Sequence, residues 1–393
     1  VRGRKKLFDR LQAWRDENPG PLIILHAASL GEFEQGRDLL RRWRLAHPEY
    51  RILVSFFSPS GFLFFKPEGI ADGHTYLPAD TPNNARKFVE ILEPDLFVFV
   101  RYDFWFALMN ELNVRSIPTA VVSAFFRPDM WFFKPYGKWG LKRISKLDAV
   151  LTQNEASAEL LRSKGIQSAR FIGDGRIDRV AQIAEQSEPI PWLDSFKGDR
   201  LLFIAGSPWE PDLERLIPVL EQFPRMAFLV APHDIGEPFV FKVLQALAPF
   251  APVRFSKLNE DEITADRQLI VLDTIGMLSR AYQHADIAFI GGGFTTGIHS
   301  IQEPAAHGCP MFFGPKHSGF PEADELIERK GGMEVHTAED LCAGIQYYVD
   351  HPLERVKAGK VCRSFVQANR GASQRMLEAL NQLVTPEHQE DPA

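Results

Sequence analysis

A chain of 393 residues, 45% apolar and 24% charged, is long enough for two domains with separate cores and too apolar to be disordered. Its net charge of −6 excludes a strongly basic nucleic-acid footprint, and no run of about 18 apolar residues marks a membrane span. Cys309, Cys342 and Cys362 stand far apart, and neither C-x-x-C nor H-x-x-x-H spacing occurs, so no disulfide framework or zinc site is indicated and a reducing compartment fits.

The first residues, VRGRKKLFDRLQAWR, set Leu7, Leu11 and Trp14 on one helical face among six Lys/Arg. Such a helix suits an anionic membrane surface; a merely solvated helix reads equally well, and a start at Val1 rather than Met leaves room for a preceding anchor. Residues 1–178 hold 26 Lys/Arg against 21 Asp/Glu, a balance of +5, whereas the remainder holds 19 against 30, a balance of −11. The first half is therefore the better suited to an anionic or membrane-borne partner.

Apolar runs at Leu22 to Ala28, Ile52 to Phe57, Leu96 to Val100, Ala120 to Ala124 and Ala149 to Thr152 alternate with helical patterns, as parallel strands with crossover helices do. At the end of the first run, HAASLGEFEQGRDLL turns through Ser29-Leu30-Gly31 and puts Glu32 at a helix N-terminus beside the C-terminal edge of a strand. Open α/β sheets hold ligands there, but on position alone Glu32 reads first as a complement to the helix dipole. VRYDFW places Asp103 on the same edge, where it is either a second cleft acid or a solvated loop carboxylate.

SFFSPSGFLFFKPEG and SAFFRPDMWFFKPYGKWGLKR set aromatic residues beside cations, among them Arg127 and Lys134. Pro128, Pro135 and Gly137 break regular structure, so a core explains Trp131, Phe132, Phe133, Tyr136 and Trp139 poorly. A basic aromatic loop suits an amphiphile with anionic head groups. Stacking on single-stranded nucleic acid uses similar chemistry, but no RNP-like or KH-like motif supports it.

After FIGDGRID comes EQSEPIPWLDSFKGDR, and then the pattern restarts with runs at Leu201 to Ala205, Ala227 to Ala231, Leu269 to Leu272, Ile287 to Ile290 and Met311 to Phe313. The fold class is α/β: two Rossmann-like parallel-sheet domains, residues 1–178 and 179–393, the second carrying the C-terminal helices, with a cleft between them. AGSPWEPD and VAPHDIGE bring Ser207 and His233 to the second sheet's ligand edge, although Ser207 equally caps a helix and His233 reads as a turn histidine. DTIGML, with Asp273 and Gly276, is a loop over the same pocket, or Asp273 is a helix cap. In IAFIGGGFTTGIHSIQEPAAHGCPMFFGP a strand enters Gly291, Gly292 and Gly293, which suit close backbone approach to a ligand or a tight turn. Backbone N–H groups from Gly297 through His299 to Ser300 are placed to bind phosphate, and Glu303 to accept two bonds from ribose hydroxyls. No D-x-D-like metal site ends a strand, and Glu260-Asp261-Glu262 reads as a solvated loop.

In this order the segments resemble the 3-deoxy-D-manno-octulosonic acid (Kdo) transferases of lipopolysaccharide synthesis, which are GT-B glycosyltransferases. The carriers are HAASLGE, SPSG (Ser58, Ser60 and Gly61), YLPAD, LTQNEASAELLRSKG, GDGRID, DTIGML, the G-x-H-x-x-x-E-P-A-A-x-G-x-P series and FPEADEL. The resemblance implies inverting transfer of Kdo from CMP-Kdo to a lipid A precursor at the cytoplasmic face of the bacterial inner membrane, with no metal or other cofactor. It makes Glu32 the general base, kept ionised by a low pKa at its helix start, and Asp103 its companion. It assigns Ser58, Ser60 and Gly61 to the acceptor. CMP falls to the second domain, with Glu303 on ribose and Gly297 to Ser300 near phosphate, while Arg176 stands where the family has Lys and meets leaving-group charge. Asp103 replaces a frequent Glu, Arg101 another acid, Pro232 an Arg and Met277 a Glu. Two rivals are a nucleotide-sugar epimerase of the same architecture and a non-enzymatic nucleotide-sugar receptor at the membrane.

Overall fold

The computed structural model describes residue 4 and residues 6–259 and 263–384, so the acidic run 260–262 and part of the basic start lie outside the described residues. The first compact unit is Val1–Arg179 with Asn369–Ala393; the second is Val180–Ala368.

The first unit holds β1 (Leu22–Ala27), β2 (Arg51–Phe56), β3 (Gly73–Tyr76), β4 (Leu96–Val100), β5 (Thr119–Ala124), β6 (Ala149–Thr152) and β7 (Ala169–Phe171). They pair in the order β3-β2-β1-β4-β5-β6-β7, and every pairing is parallel. The order reverses between β1 and β4, which opens a crevice at their C-terminal ends. β1 is buried along its whole length because helices cover both faces. Ile23, Leu25 and Ala27 face one core with Leu39, Leu40 and Trp43 of the helix Leu30–Ala46, while Leu22 and Ile24 face another with Leu7, Leu11 and Phe88.

The second unit holds β8 (Leu202–Gly206), β9 (Ala227–Ala231), β10 (Val253–Arg254), β11 (Leu269–Val271), β12 (Ile287–Ile290), β13 (Met311–Phe313) and β14 (Gly332–Glu334). Their order is β10-β11-β9-β8-β12-β13-β14, again all parallel, with the reversal between β8 and β12.

Two expectations need correction. The last helix, Ala372–Val384, belongs to the first unit and not with the second domain. Its Met376, Leu377 and Leu380 join the core made by Leu39, Leu40 and Trp43, and Asp178 caps its start by accepting from Gly371 N (2.5 Å) and Ser373 N (2.7 Å). The helix Leu7–Glu17 does not offer Leu7 and Leu11 to a membrane, because both are buried in the first unit's core and Trp14 packs against it. Among the described residues no helix is long and apolar enough to cross a membrane. Leu380→Ala should leave a cavity beneath the last helix and lower unfolding free energy by about 2–5 kcal/mol, read as a lower urea midpoint with little change in slope.

Candidate active site

Chemistry-bearing residues collect at the crevice of each sheet. In the first unit, Ser29 ends the extended chain after β1 with φ −141° and ψ 170° and caps the helix by accepting from Glu32 N (3.4 Å). Glu32 reaches back, its Oε2 accepting from Ala28 N (2.8 Å). That bond occupies one oxygen only; Oε1 takes no hydrogen bond from the described residues. Burial, and then the charge of Asp103, raise the pKa of Glu32 against the opposing pull of Ala28 N–H, Arg101 and His26. This overturns the expected low pKa: the helix start contributes less than the loss of water and the neighbouring acid, and Glu32 is the stronger base for it.

Asp103 follows β4, next to β1 in the sheet. Its Oδ2 receives hydrogen bonds from His26 Nε2 (2.9 Å) and Trp105 Nε1 (3.1 Å). Burial pushes its pKa up, but the His26 and Trp105 bonds outweigh burial and hold it below the usual carboxylate value. The two carboxylates are thus driven apart, one toward holding a proton and one toward keeping its charge. His26 was missed by sequence reasoning; the available signal was a single polar side chain inside the apolar strand LIILHA.

The SPSG segment lies beside Glu32, since Ser58 N donates to Ala28 O (2.7 Å). Ser58 caps the helix Pro59–Phe64 and shares a 2.7 Å hydroxyl contact with Ser60. Gly61 serves packing, because an added Cβ would lie 2.2 Å from the Phe56 ring. Arg127 pairs with Asp129 at 3.2 Å, and Lys134 is exposed. Phe132 is buried and Phe133 half-buried, so the core accounts for those two after all. Tyr136 (70% exposed) and Trp139 (54%) stand outside it, with Trp131 and, beyond β2, Phe57, Leu63 and Phe64 also exposed.

Arg176 is engaged rather than open: its Nε and Nη2 lie 2.9 and 2.6 Å from Oδ2 of the buried Asp174.

In the second unit, Ser207 takes a left-handed φ of 55° after β8. The fully buried Asp212, with its pKa raised by burial against hydrogen bonds from Gly292 and Trp209, accepts at Oδ2 from Trp209 N (2.7 Å) and Gly292 N (2.9 Å). One carboxylate thereby ties the loop after β8 to the glycine triplet after β12. Trp209 stacks on His233 with centroids 4.0 Å apart, and His233 on His299 at 4.5 Å. Trp209 Nε1 donates to His299 Nε2 (3.2 Å), and burial with the neighbouring His233 drives the His299 pKa down to about 4, so the ring accepts as a neutral base. Trp209, His233, Asp234, Thr274, Ile275 and Gly276 line a cavity of about 440 Å³. Trp209 and Asp212 were not singled out from the sequence, although AGSPWEPD contains both.

Two expectations fail here. Gly297 N, Ile298 N and His299 N already donate to Gly292 O (3.1 Å), Lys316 O (3.1 Å) and Gly291 O (3.1 Å), so they are not open to a phosphate, and the helix Gln302–His307 begins only beyond Ser300. Asp273 neither caps a helix nor turns to the pocket: it is buried against Arg254 and accepts from Ser256 N (2.9 Å) and Oγ (2.6 Å). Burial raises its pKa, but those bonds outweigh it and the net shift is downward. Gly276 remains on the pocket rim at φ +87°, Gly293 packs where a Cβ would lie 2.5 Å from Gly314 N, and Glu303 sits half-buried in the first turn of its helix.

Residues 5–179 match the family described as 3-Deoxy-D-manno-octulosonic-acid transferase (kdotransferase). The chain is 27% identical to the 3-deoxy-D-manno-octulosonic acid transferase of Haemophilus influenzae, covering 96% of this chain and 91% of that protein. It is 25% identical to the enzyme of that name from Chlamydophila psittaci, covering 93% and 86%. The structure of UDP-GlcNAc 2-epimerase from Neisseria meningitidis superposes with a TM-score of 0.64 at 14% identity, covering 92% of this chain and 100% of that one, a likeness of fold alone. Over residues 5–179 the chain matches the Kdo transferase family, and proteins named as Kdo transferases align along nearly all of its length at 25–27% identity.

Proposed function

We propose that the chain transfers Kdo from CMP-Kdo to a lipid A precursor with inversion at the anomeric carbon, Glu32 acting as general base. The observation that carries this reading is the pairing, at the crevice of the first sheet, of a half-buried Glu32 of raised proton affinity with an Asp103 held ionised. An acceptor hydroxyl oxygen attacks the anomeric carbon and its proton passes to Glu32; the bond from that carbon to the phosphate oxygen breaks, and CMP leaves with the electron pair. The cytidine occupies the cavity edged by Trp209 and His233, and neutral His299 supports that stack without adding charge. Glu303 holds the ribose. Arg176, released from Asp174, meets leaving-group charge, and no metal or further cofactor takes part. Release of CMP from CMP-Kdo should require the lipid acceptor and persist in EDTA; release without acceptor, or its abolition by EDTA, would contradict the proposal.

The lipid acceptor fits the exposed aromatic residues beside Lys134, Lys138 and Arg127, with rings against acyl chains and cations against phosphates. The enzyme on this reading works on the cytoplasmic face of the inner membrane. Tyr136→Ser should weaken sedimentation with anionic phospholipid vesicles about threefold while leaving the thermal midpoint unchanged, since that side chain is 70% exposed.

A further inference from the structure

His26 is a polar side chain with no exposure in the centre of a parallel sheet, in register with Ser55 on β2 and Phe99 on β4. Its ring is held on four sides. Nδ1 faces Ser55 O (3.1 Å) and Ser55 Oγ (3.0 Å), Nε2 faces Asp103 Oδ2 (2.9 Å), and Phe99 and Trp105 pack edge-on at 6.1 and 5.7 Å between centroids. A carboxylate accepts only, so Nε2 must carry a proton to make the Asp103 bond. Nδ1 then accepts from the Ser55 hydroxyl when the ring is neutral, or donates to the Ser55 carbonyl when it is charged. Ser55 therefore serves both states of the ring, and neither requires the imidazole to turn. His26 and Trp105 also share one oxygen of Asp103, which fixes that carboxylate by two donors on one side.

We propose that His26 is a positioning residue that locks Asp103 through Nε2, so that Asp103 stays the charged member of the carboxylate pair and Glu32 the member that takes the acceptor's proton. The inference rests on the general-base reading of Glu32. It does not place His26 on the substrate: the ring lies beneath the site, and its effect passes through Asp103. The ionisable groups acting on Glu32 are Asp103, Arg101 and His26, while Asp103 is held by His26 and by the indole N–H of Trp105. Removing the His26 donor leaves Asp103 with burial and a single bond, and the two acids then compete for the same proton.

Three measurements on the full chain test this. In the wild-type protein, ¹⁵N imidazole shifts should show Nε2 protonated throughout the range from about pH 6 to 8; a ring protonated on Nδ1 alone at the upper end would overturn the proposal. With ¹³C-labelled carboxyl groups, assigned through Asp103→Asn and Glu32→Gln, Asp103 should titrate below Glu32, and His26→Phe should raise the Asp103 midpoint by about one pH unit or more. The Phe ring keeps the packing against Phe99 and Trp105 but offers no donor. His26→Gln, which keeps an N–H donor, should restore most of the difference. In turnover, His26→Phe should lower kcat roughly tenfold or more with KM for CMP-Kdo unchanged and shift the acid limb of the pH profile, whereas His26→Gln should recover most of kcat. An Asp103 midpoint unmoved by His26→Phe would overturn the positioning role. These titrations need no turnover, so they remain decisive for the clamp even if Glu32→Gln retains activity and the general-base reading fails.

Discussion

Glu32→Gln is expected to lower kcat for Kdo transfer by roughly 10²–10⁴-fold while leaving CMP-Kdo affinity within about twofold of wild type. The amide preserves side-chain size, and its carbonyl oxygen can still accept from Ala28 N, so the helix start should survive. What it cannot do is take up a proton. The wild-type kcat/KM should also show an acid limb centred above the ordinary Glu value, because burial and Asp103 raise the Glu32 pKa. The base form is present above that raised pKa and is lost as the pH falls through it. Loss of this limb in Glu32→Gln, with folding shown intact by circular dichroism, is the expected pattern; an unchanged limb would assign it to another group.

Gly291→Ala should act on the other substrate. A Cβ at this position would lie 2.3 Å from Ser207 O and 2.4 Å from the Pro208 Cα, both backbone atoms that cannot swing aside. The loop after β8 must then move, and with it Trp209, whose backbone N–H shares Asp212 with Gly292. We expect KM for CMP-Kdo to rise about tenfold or more and stability to fall by about 1–3 kcal/mol, as overpacking commonly costs. Gly319→Ala is the matched control, since nothing lies within 4 Å of its added Cβ, and it should leave KM unchanged. Titration calorimetry with CMP would show whether the loss lies in binding: a normal isotherm for Gly291→Ala would mean that the stacked aromatic edge is not the nucleotide site.

The central strands were legible because a parallel strand buried on both faces must be apolar throughout, as in LFVFV and AFLVA. The edge strands GHTY, ARF, VR and GME were not, since they are short and lack a continuous apolar run. The last helix read as part of the second domain; its return to the first unit depends on Asp178 and on a core assembled from residues far away in sequence. Within the site, Glu32 and Asp103 could be placed because each directly follows a strand. Their proton affinities could not, because burial and the His26 donor are tertiary properties. The segment from Gly297 to His299 shows the converse error: successive backbone N–H groups at a glycine before a helix start resemble an anion site, but folding spends them on Gly292, Lys316 and Gly291. Asp273 misled in the same way, its position beside a pocket loop concealing its engagement by Arg254 and Ser256.

Epimerases and glycosyltransferases share this architecture, so the fold does not choose between them. The sequence relatives named as Kdo transferases favour transfer, and the two readings differ in one product. The decisive measurement is the mass of the lipid after the purified chain has been incubated with CMP-Kdo and a lipid A precursor. The expected product is a lipid heavier by one or more Kdo residues, with one CMP released per residue added. CMP-Kdo consumed with the lipid mass unchanged, or bound and never consumed, would contradict it.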